Sequence, residues 1–418
     1  MKKYIPIAKY IIIFGVSRGG LFFAPFILAN VLSSTSYGLL ETALAAASLI
    51  AGLATLGTAS AVPLVLLGRN KFASFKGIVS HHFLVVVTAL TVLLVGGALE
   101  LTATWLFTAL LTAALAMQRL ASTHLKTKGH GDASVLIDAG TLCLIALVVW
   151  IAQFSKASDP MEWVLVAVLT YSLALVVIYL RSFIRVGHSE TPLAWAKTLK
   201  LGIPLMLGGV VSLLATTSGR LGMGLMAGPV LTADYAVLAR AAALPMVAHQ
   251  LITIAKFRNL FAQSDSYVAA VTLNIVVLVG ASAIGFIVFS PWLGMFLGPA
   301  FSSAFELHRM ACFWIVAQAV LWSAIALNEF VIARHQVMPK VLPYSSIFLS
   351  VALLLGWFIL SVTELTLERF VIVHSTVMLS FYLAQSWIMS RLGLHLHKTW
   401  LASTTMFLIL SALTLFIG

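Results

Sequence analysis

The chain has 418 residues, 61% of them hydrophobic and 9% charged, with a formal net charge of +12. Ordinary globular domains carry roughly a quarter charged residues, so the composition excludes a water-soluble fold, which needs more polar surface to cover its core. The positive balance is not a nucleic-acid footprint either, because Lys and Arg recur in short clusters at alternate loops and form no single basic block.

Taken in chain order, the apolar segments predict thirteen membrane spans, since about 20 apolar residues cross the hydrocarbon. They lie near 10–32, 37–66, 79–99, 103–122, 133–154, 162–184, 201–226, 234–255, 267–290, 308–333, 341–362, 368–390 and 400–417. The first follows Lys2, Lys3 and Lys9 without a small-residue cleavage site and reads as a retained helix. With the N-terminus in the cytoplasm, eighteen of the 25 basic residues fall on cytoplasmic connections and three outside, Lys156, Arg309 and Arg369. The remaining four lie within spans. This is the positive-inside pattern of a multi-pass protein of the bacterial inner (cytoplasmic) membrane. The acids Glu100, Asp159, Glu162, Glu306, Glu364 and Glu368 lean to the opposite side.

External connections are short, and the longest, Ser290–Leu307, stays under 20 residues. The longest internal one, Arg181–Lys200, contains Thr191-Pro192 before Leu193, Ala194 and Trp195. Thr as N-cap with Pro at the first helical position predicts a short helix on the membrane surface. It falls after the sixth span and divides the chain into halves. A weak repeat supports the division. Arg18-Gly19, Val31-Leu32, Tyr37 and Ala43–Ala47 find counterparts in Arg220-Leu221, Val230-Leu231, Tyr235 and Ala239–Ala243. Both copies would start on a cytoplasm-to-outside helix, so they predict parallel repeats. The expected fold is all-α integral membrane, two six-helix bundles around a central cavity. Residues 1–186 form the first bundle, 187–200 a cytoplasmic linker, 201–390 the second bundle, and 391–418 an additional C-terminal helix.

Arg18, Arg119, Arg220 and Arg240 fall inside spans. Each costs at least ~2.5 kcal/mol near mid-membrane, which disfavours a decorative role. Arg18 lies roughly 12 Å along its helix from the cytoplasmic end. Arg119 lies about one turn from the cytoplasmic end of its span and is equally readable as snorkelling to the headgroups. Arg220 and Arg240 lie in the outer thirds of the seventh and eighth spans. The intramembrane acids are Glu41, Asp138 and Glu329. Glu41 and Asp138 are candidates for ion coupling, whereas Glu329 reads as a helix-end residue. Guanidinium offers a planar fork of donors and stays charged in apolar surroundings, so an arginine-lined cavity suits a diphosphate. No lysine is placed mid-membrane, which points to anionic cargo and away from cationic drugs.

Other features carry less. His81-His82 and His395-x-His397 border cytoplasmic loops without further ligands, so no metal site is expected. His249 and His374 read as core histidines. Gly52, Gly57, Gly208, Gly209, Gly222 and Gly224 read as close-packing positions, and Pro204 and Pro245 as kinks. Cys143 and Cys312 sit in apolar segments and predict no disulfide. No paired-carboxylate, nucleophile–base or phosphate-cradling motif stands out, so neither enzymatic chemistry nor a cofactor is expected.

Ser17-Arg18-Gly19-Gly20, Leu32, Tyr37-Gly38 and Leu56-Gly57 resemble the start of Wzx-type oligosaccharide-lipid flippases. That family lies in the MOP superfamily with the MATE exporters and the lipid II flippase. Leu201-Gly202-Ile203-Pro204, Arg220, Tyr235, Arg240 and Leu297-Gly298-Pro299-Ala300-Phe301 extend the resemblance through the second half. It implies alternating-access export of undecaprenyl-diphosphate-linked glycan for O-antigen or other surface polysaccharide. The implied partners are a polysaccharide polymerase and chain-length proteins. The pattern often has an acid before the second-half arginine, where this chain has Gly219. A MATE-like exporter of small amphiphiles is the alternative, and a membrane-embedded polymerase or ligase a more distant one.

Overall fold

The computed structural model describes residues 5–67, 74–155, 160–185, 192–247, 249, 252–253, 260, 263–335 and 337–417. These residues are helical almost throughout. Twelve of the helices are long and apolar enough to cross a membrane, and the protein is a multi-pass membrane protein. Large apolar side chains point outward, with Phe154 at 71%, Met295 at 80% and Phe416 at 87% exposure. The interior is instead rich in Ala, Ser and Thr. Lipid drives no burial of Leu, so helices associate where small residues let backbones approach.

The chain divides into two compact units, Met1–Leu213 and Leu214–Gly418. The first contains α1 (Ile5–Val31), α2 (Ser34–Ala54), α3 (Thr58–Leu66), α4 (Phe75–Ala98), α5 (Ala103–Thr127), α6 (Gly131–Ser155) and α7 (Pro160–Arg185). It ends within α8 (Pro192–Met226). The central helix is α5, which packs against α2, α3, α4, α6 and α7, while α1 lies along α6. Its buried face includes Ala109, Ala113, Ala114 and Ala116. N-caps start the helices where the sequence offers them. Ser33 accepts from the Ser36 amide and Ser74 from the Gly77 amide, each satisfying a donor the first turn leaves open.

The second unit holds the rest of α8, α9 (Pro229–Ala242), α10 (Asp265–Leu297), α11 (Pro299–Leu307), α12 (Arg309–Arg334), α13 (Met338–Ser361), α14 (Leu367–Arg391) and α15 (His397–Ile417). Here α12 is central and touches α9, α10, α11, α13, α14 and α15. Segment 391–418, set apart above as an additional helix, is an integral part of this unit. Its helix α15 packs on α10 and α12, with the Trp400 indole donating to Asn328 at 3.1 Å and Thr399 bonded to Thr272 at 3.1 Å.

The segmentation differs from expectation in four places. The span at 37–66 is two helices, because Leu56 (φ 47°) and Gly57 (φ 67°) turn the chain between α2 and α3. A Cβ on Gly57 would lie 2.3 Å from the Gly202 carbonyl oxygen, so the turn is shaped by α8 passing against it. The surface helix expected after Pro192 is instead the opening of the 35-residue α8, which runs on through Pro204. The N-cap assigned to Thr191 lies outside the described residues. The Ser290–Leu307 connection is largely helical, since α10 continues to Leu297 and α11 follows from Pro299 at its first position. The span at 234–255 is interrupted, with α9 ending at Ala242 and a turn at Ala243. Part of that span lies outside the described residues, and it is not among the twelve long apolar helices.

Candidate functional site

Arg18 sits in the middle of α1, partly buried. Its guanidinium carbon lies 5.5 Å from the centre of the Phe14 ring, one turn away. Its Nε is buried with no hydrogen-bond partner among the described residues, and so is the hydroxyl of neighbouring Ser17. Two residues on, α1 lies tight against α6, where a Cβ on Gly20 would meet Cys143 Sγ at 2.8 Å. The α1–α6 contact therefore holds the arginine's helix, and among the described residues its head has no acceptor at Nε.

Arg119 has a different setting. From α5 it donates to the Ser48 carbonyl of α2 at 3.0 Å, and it passes Gly52, where a Cβ would come 3.1 Å from its terminal nitrogen. His81 on α4 bonds the Ala54 carbonyl at 2.9 Å. The C-terminal half of α2 thus has a cation at the Ser48 carbonyl and, just before the break at Leu56-Gly57, an imidazole at the Ala54 carbonyl.

The acids of the first unit also differ from one another. Glu41 on α2 is buried and accepts from the Tyr37 hydroxyl at 3.0 Å. Asp138 on α6 is exposed, within electrostatic reach of the Tyr171 hydroxyl, and Gln118 donates to its backbone carbonyl at 2.6 Å. Each of the four first-unit candidates therefore has its own surroundings.

In the second unit, α8 carries Arg220 and the last turn of α9 carries Arg240, both partly buried. The Tyr235 hydroxyl lies within electrostatic reach of Arg220 and explains Gly219. A Cβ at 219 would lie 1.9 Å from that hydroxyl oxygen, so Tyr235 fills the space an acidic side chain would need. The tyrosine meets Phe370 edge to face, with ring centres 5.7 Å apart, and Phe370 stacks on His374 at 5.8 Å.

His374 closes a buried polar chain linking α8, α12 and α14. One ring nitrogen is 2.9 Å from the Ser218 hydroxyl, the other 2.8 Å from the Gln318 amide nitrogen. The Gln318 amide can only donate, so in this arrangement His374 Nδ1 accepts and its Nε2–H faces Ser218. The histidine is a fully satisfied core residue, and its partner Ser218 is one position from Gly219-Arg220 on α8. Sequence reading put His374 in the core but missed Ser218 and Gln318, because partners 156 and 56 residues away leave no local pattern. Of the glycines, Gly52, Gly57 and Gly222 sit at close approaches, whereas a Cβ at Gly209 would meet nothing within 4 Å among the described residues. Glu329 is partly buried near the end of α12. Among the described residues no group of three His, Cys, Asp or Glu is arranged to hold a metal ion.

No protein-family model and no curated protein sequence matches the chain. Solved structures do. The lipid II flippase MurJ, in an inward closed conformation, aligns with a TM-score of 0.65 at 13% identity over 98% of this chain and 93% of that one. An inward-facing multidrug-resistance MATE transporter of the MOP superfamily aligns at 0.51, with 13% identity over 91% and 95% of the two chains. An outward-facing MATE transporter of that superfamily aligns at 0.52, with 14% identity over 96% and 94%. The fold is therefore one that a lipid flippase and multidrug transporters share.

Proposed function

We propose that the chain is a flippase that moves polyprenyl-diphosphate-linked oligosaccharide from the inner to the outer leaflet of a bacterial inner membrane by alternating access. The observation that carries this reading is Arg18. A guanidinium within a membrane-spanning helix, with an aromatic ring beside it and a buried Nε that has no acceptor among the described residues, favours an anionic, forked ligand. Arg220 and Arg240 would contribute from the second unit. Likeness to a flippase of a lipid-linked substrate supports the same reading.

The test is reconstitution of the purified protein in vesicles carrying a fluorescent polyprenyl-diphosphate oligosaccharide in one leaflet. Protein-dependent appearance of the glycan on the opposite face is expected. Transport of a cationic dye without glycolipid movement would transfer the assignment to the multidrug-exporter reading. In the same vesicles, Glu41 and Asp138 are proposed to serve ion coupling. Asp138→Asn or Glu41→Gln should weaken the response to an imposed proton or sodium gradient, and an unchanged response in both removes them from the mechanism.

The proposed orientation places the N-terminus in the cytoplasm, on the strength of the eighteen-to-three basic bias. After Cys143 and Cys312 are replaced by Ser, a single cysteine at Ala157 should react with an impermeant thiol reagent on intact cells and one at Lys71 should not. The reverse labelling pattern inverts the topology.

A further inference from the structure

One end of the second unit holds a cavity of about 460 Å³ between the start of α10 and the segment that joins α14 to α15. The joining segment reads Leu394-His395-Leu396-His397-Lys398. Leu394 and Leu396 are buried while His395 and His397 are exposed, the alternation an extended strand of chain produces. Both imidazoles therefore emerge on one side, with ring centres 5.2 Å apart. His397 also meets the Trp400 ring edge to face at 5.1 Å, and Trp400 is locked by its bond to Asn328. The two rings are thus held in place by a buried anchor.

Lys398 adds a fixed positive charge beside the two imidazoles and has no acidic partner among the described residues. Asp265, the acid in the first turn of α10, is already taken up by Arg334 and lies 3.4 Å from His335, so it does not neutralise Lys398. Across the cavity, α10 presents Ser266 at the mouth, then Ala269, Ala270 and Leu273 deeper in. The floor is closed by Thr399, which bonds to Thr272 and offers no open polar site. A mouth holding the Lys398 ammonium and two imidazoles therefore passes into an apolar wall at the end of a membrane-spanning helix.

We propose that this cavity binds the phosphate headgroup of an anionic phospholipid, with an acyl chain laid along Ala269, Ala270 and Leu273. The rim supplies charge complementarity to phosphate, and basic pockets between helices at the membrane interface are suited to such headgroups. The apolar wall distinguishes a lipid from free phosphate, which has no use for it. The site is separate from Arg18, Arg220 and Arg240, and its failure would leave the proposed transport activity untouched.

The test uses the full-length protein in phosphatidylcholine nanodiscs, with phosphatidylglycerol carrying a photoreactive acyl chain as the probe and matched phosphatidylcholine as control. Crosslinks from phosphatidylglycerol are expected to concentrate on residues 266–273 and 395–399, well above those from phosphatidylcholine. Removing the Lys398 charge should weaken the probe's affinity about fivefold, and the triple variant H395N/H397N/K398Q, which also removes both imidazoles, should lose at least that much specific labelling. Leu273→Trp, which fills the apolar side and keeps the rim, should also lose it. If the triple variant does not fold, His395→Asn alone, at an exposed position, is measured by thermal midpoint and labelling together. Equal labelling by the two lipids, or undiminished labelling of the triple variant, overturns the proposal. Labelling that survives Leu273→Trp but is displaced by millimolar inorganic phosphate overturns it in favour of a free-phosphate site.

Discussion

Arg18→Ala protein should flip polyprenyl-diphosphate oligosaccharide at least about tenfold more slowly than wild type, because a hydrogen bond to a charged group contributes about 1.5–3 kcal/mol. Arg18→Lys should fall between the two. Lysine keeps the charge but loses the planar fork that engages two phosphate oxygens together. Folding should be spared in both, since the guanidinium's recorded protein contact is the Phe14 ring and its Nε bonds to nothing in the described residues. Thermal midpoint and flipping rate are measured on the same preparations. Wild-type flipping by well-folded Arg18→Ala protein would end the assignment of this residue to substrate. Arg119 makes a useful contrast, because its bond to the Ser48 carbonyl predicts that Arg119→Ala loses stability along with activity.

The largest effect on stability is expected at the α2–α3 turn. Gly202→Ala would place a Cβ 2.3 Å from the Leu56 carbonyl oxygen and 3.0 Å from the Thr58 nitrogen. Both obstacles are backbone atoms, so no rotamer change relieves them, and overpacking of this kind costs about 1–3 kcal/mol. Gly57→Ala adds a left-handed backbone at φ 67°, unfavourable for an L side chain by roughly a further 1–2 kcal/mol. Gly209→Ala, seven residues further along α8 with nothing within 4 Å, should instead be neutral or stabilise by about 0.5–1 kcal/mol. Thermal unfolding in detergent separates these outcomes. A Gly202→Ala protein as stable as the Gly209→Ala protein would mean that α8 does not press on this turn.

A charged residue in an apolar run stands out without structural help, which makes it a candidate and no more than that. Arg18, Arg119, Arg220, Arg240, Glu41 and Asp138 were all found on that basis, yet their differing environments were not. That Arg119 rests on the Ser48 carbonyl depends on how α2 and α5 meet, whereas the Phe14 ring beside Arg18 lies one turn back on the same helix. Glu41 and Asp138 look alike in sequence, but one is buried beneath a tyrosine hydroxyl and the other is exposed. Gly219 departed from the family pattern without apparent cause until Tyr235, sixteen positions later, proved to occupy the space beside it.

The sequence by itself determined the phase in which this protein lives and most of its helices. Twelve of the thirteen expected spans correspond to long apolar helices, because hydrocarbon leaves every backbone amide to be satisfied within its own helix. Length and hydropathy, both additive along the chain, are enough to read that requirement. Tertiary structure decided the rest. It broke 37–66 where Gly57 meets Gly202, joined the 192–200 segment to α8, and drew α15 into the second unit through Trp400 and Asn328. It also made α5 and α12 the centres of the two units, although other spans are more hydrophobic. In lipid, burial follows the placement of small and polar residues that let helices approach and bond, and which of those surfaces meet is fixed only when the helices are assembled.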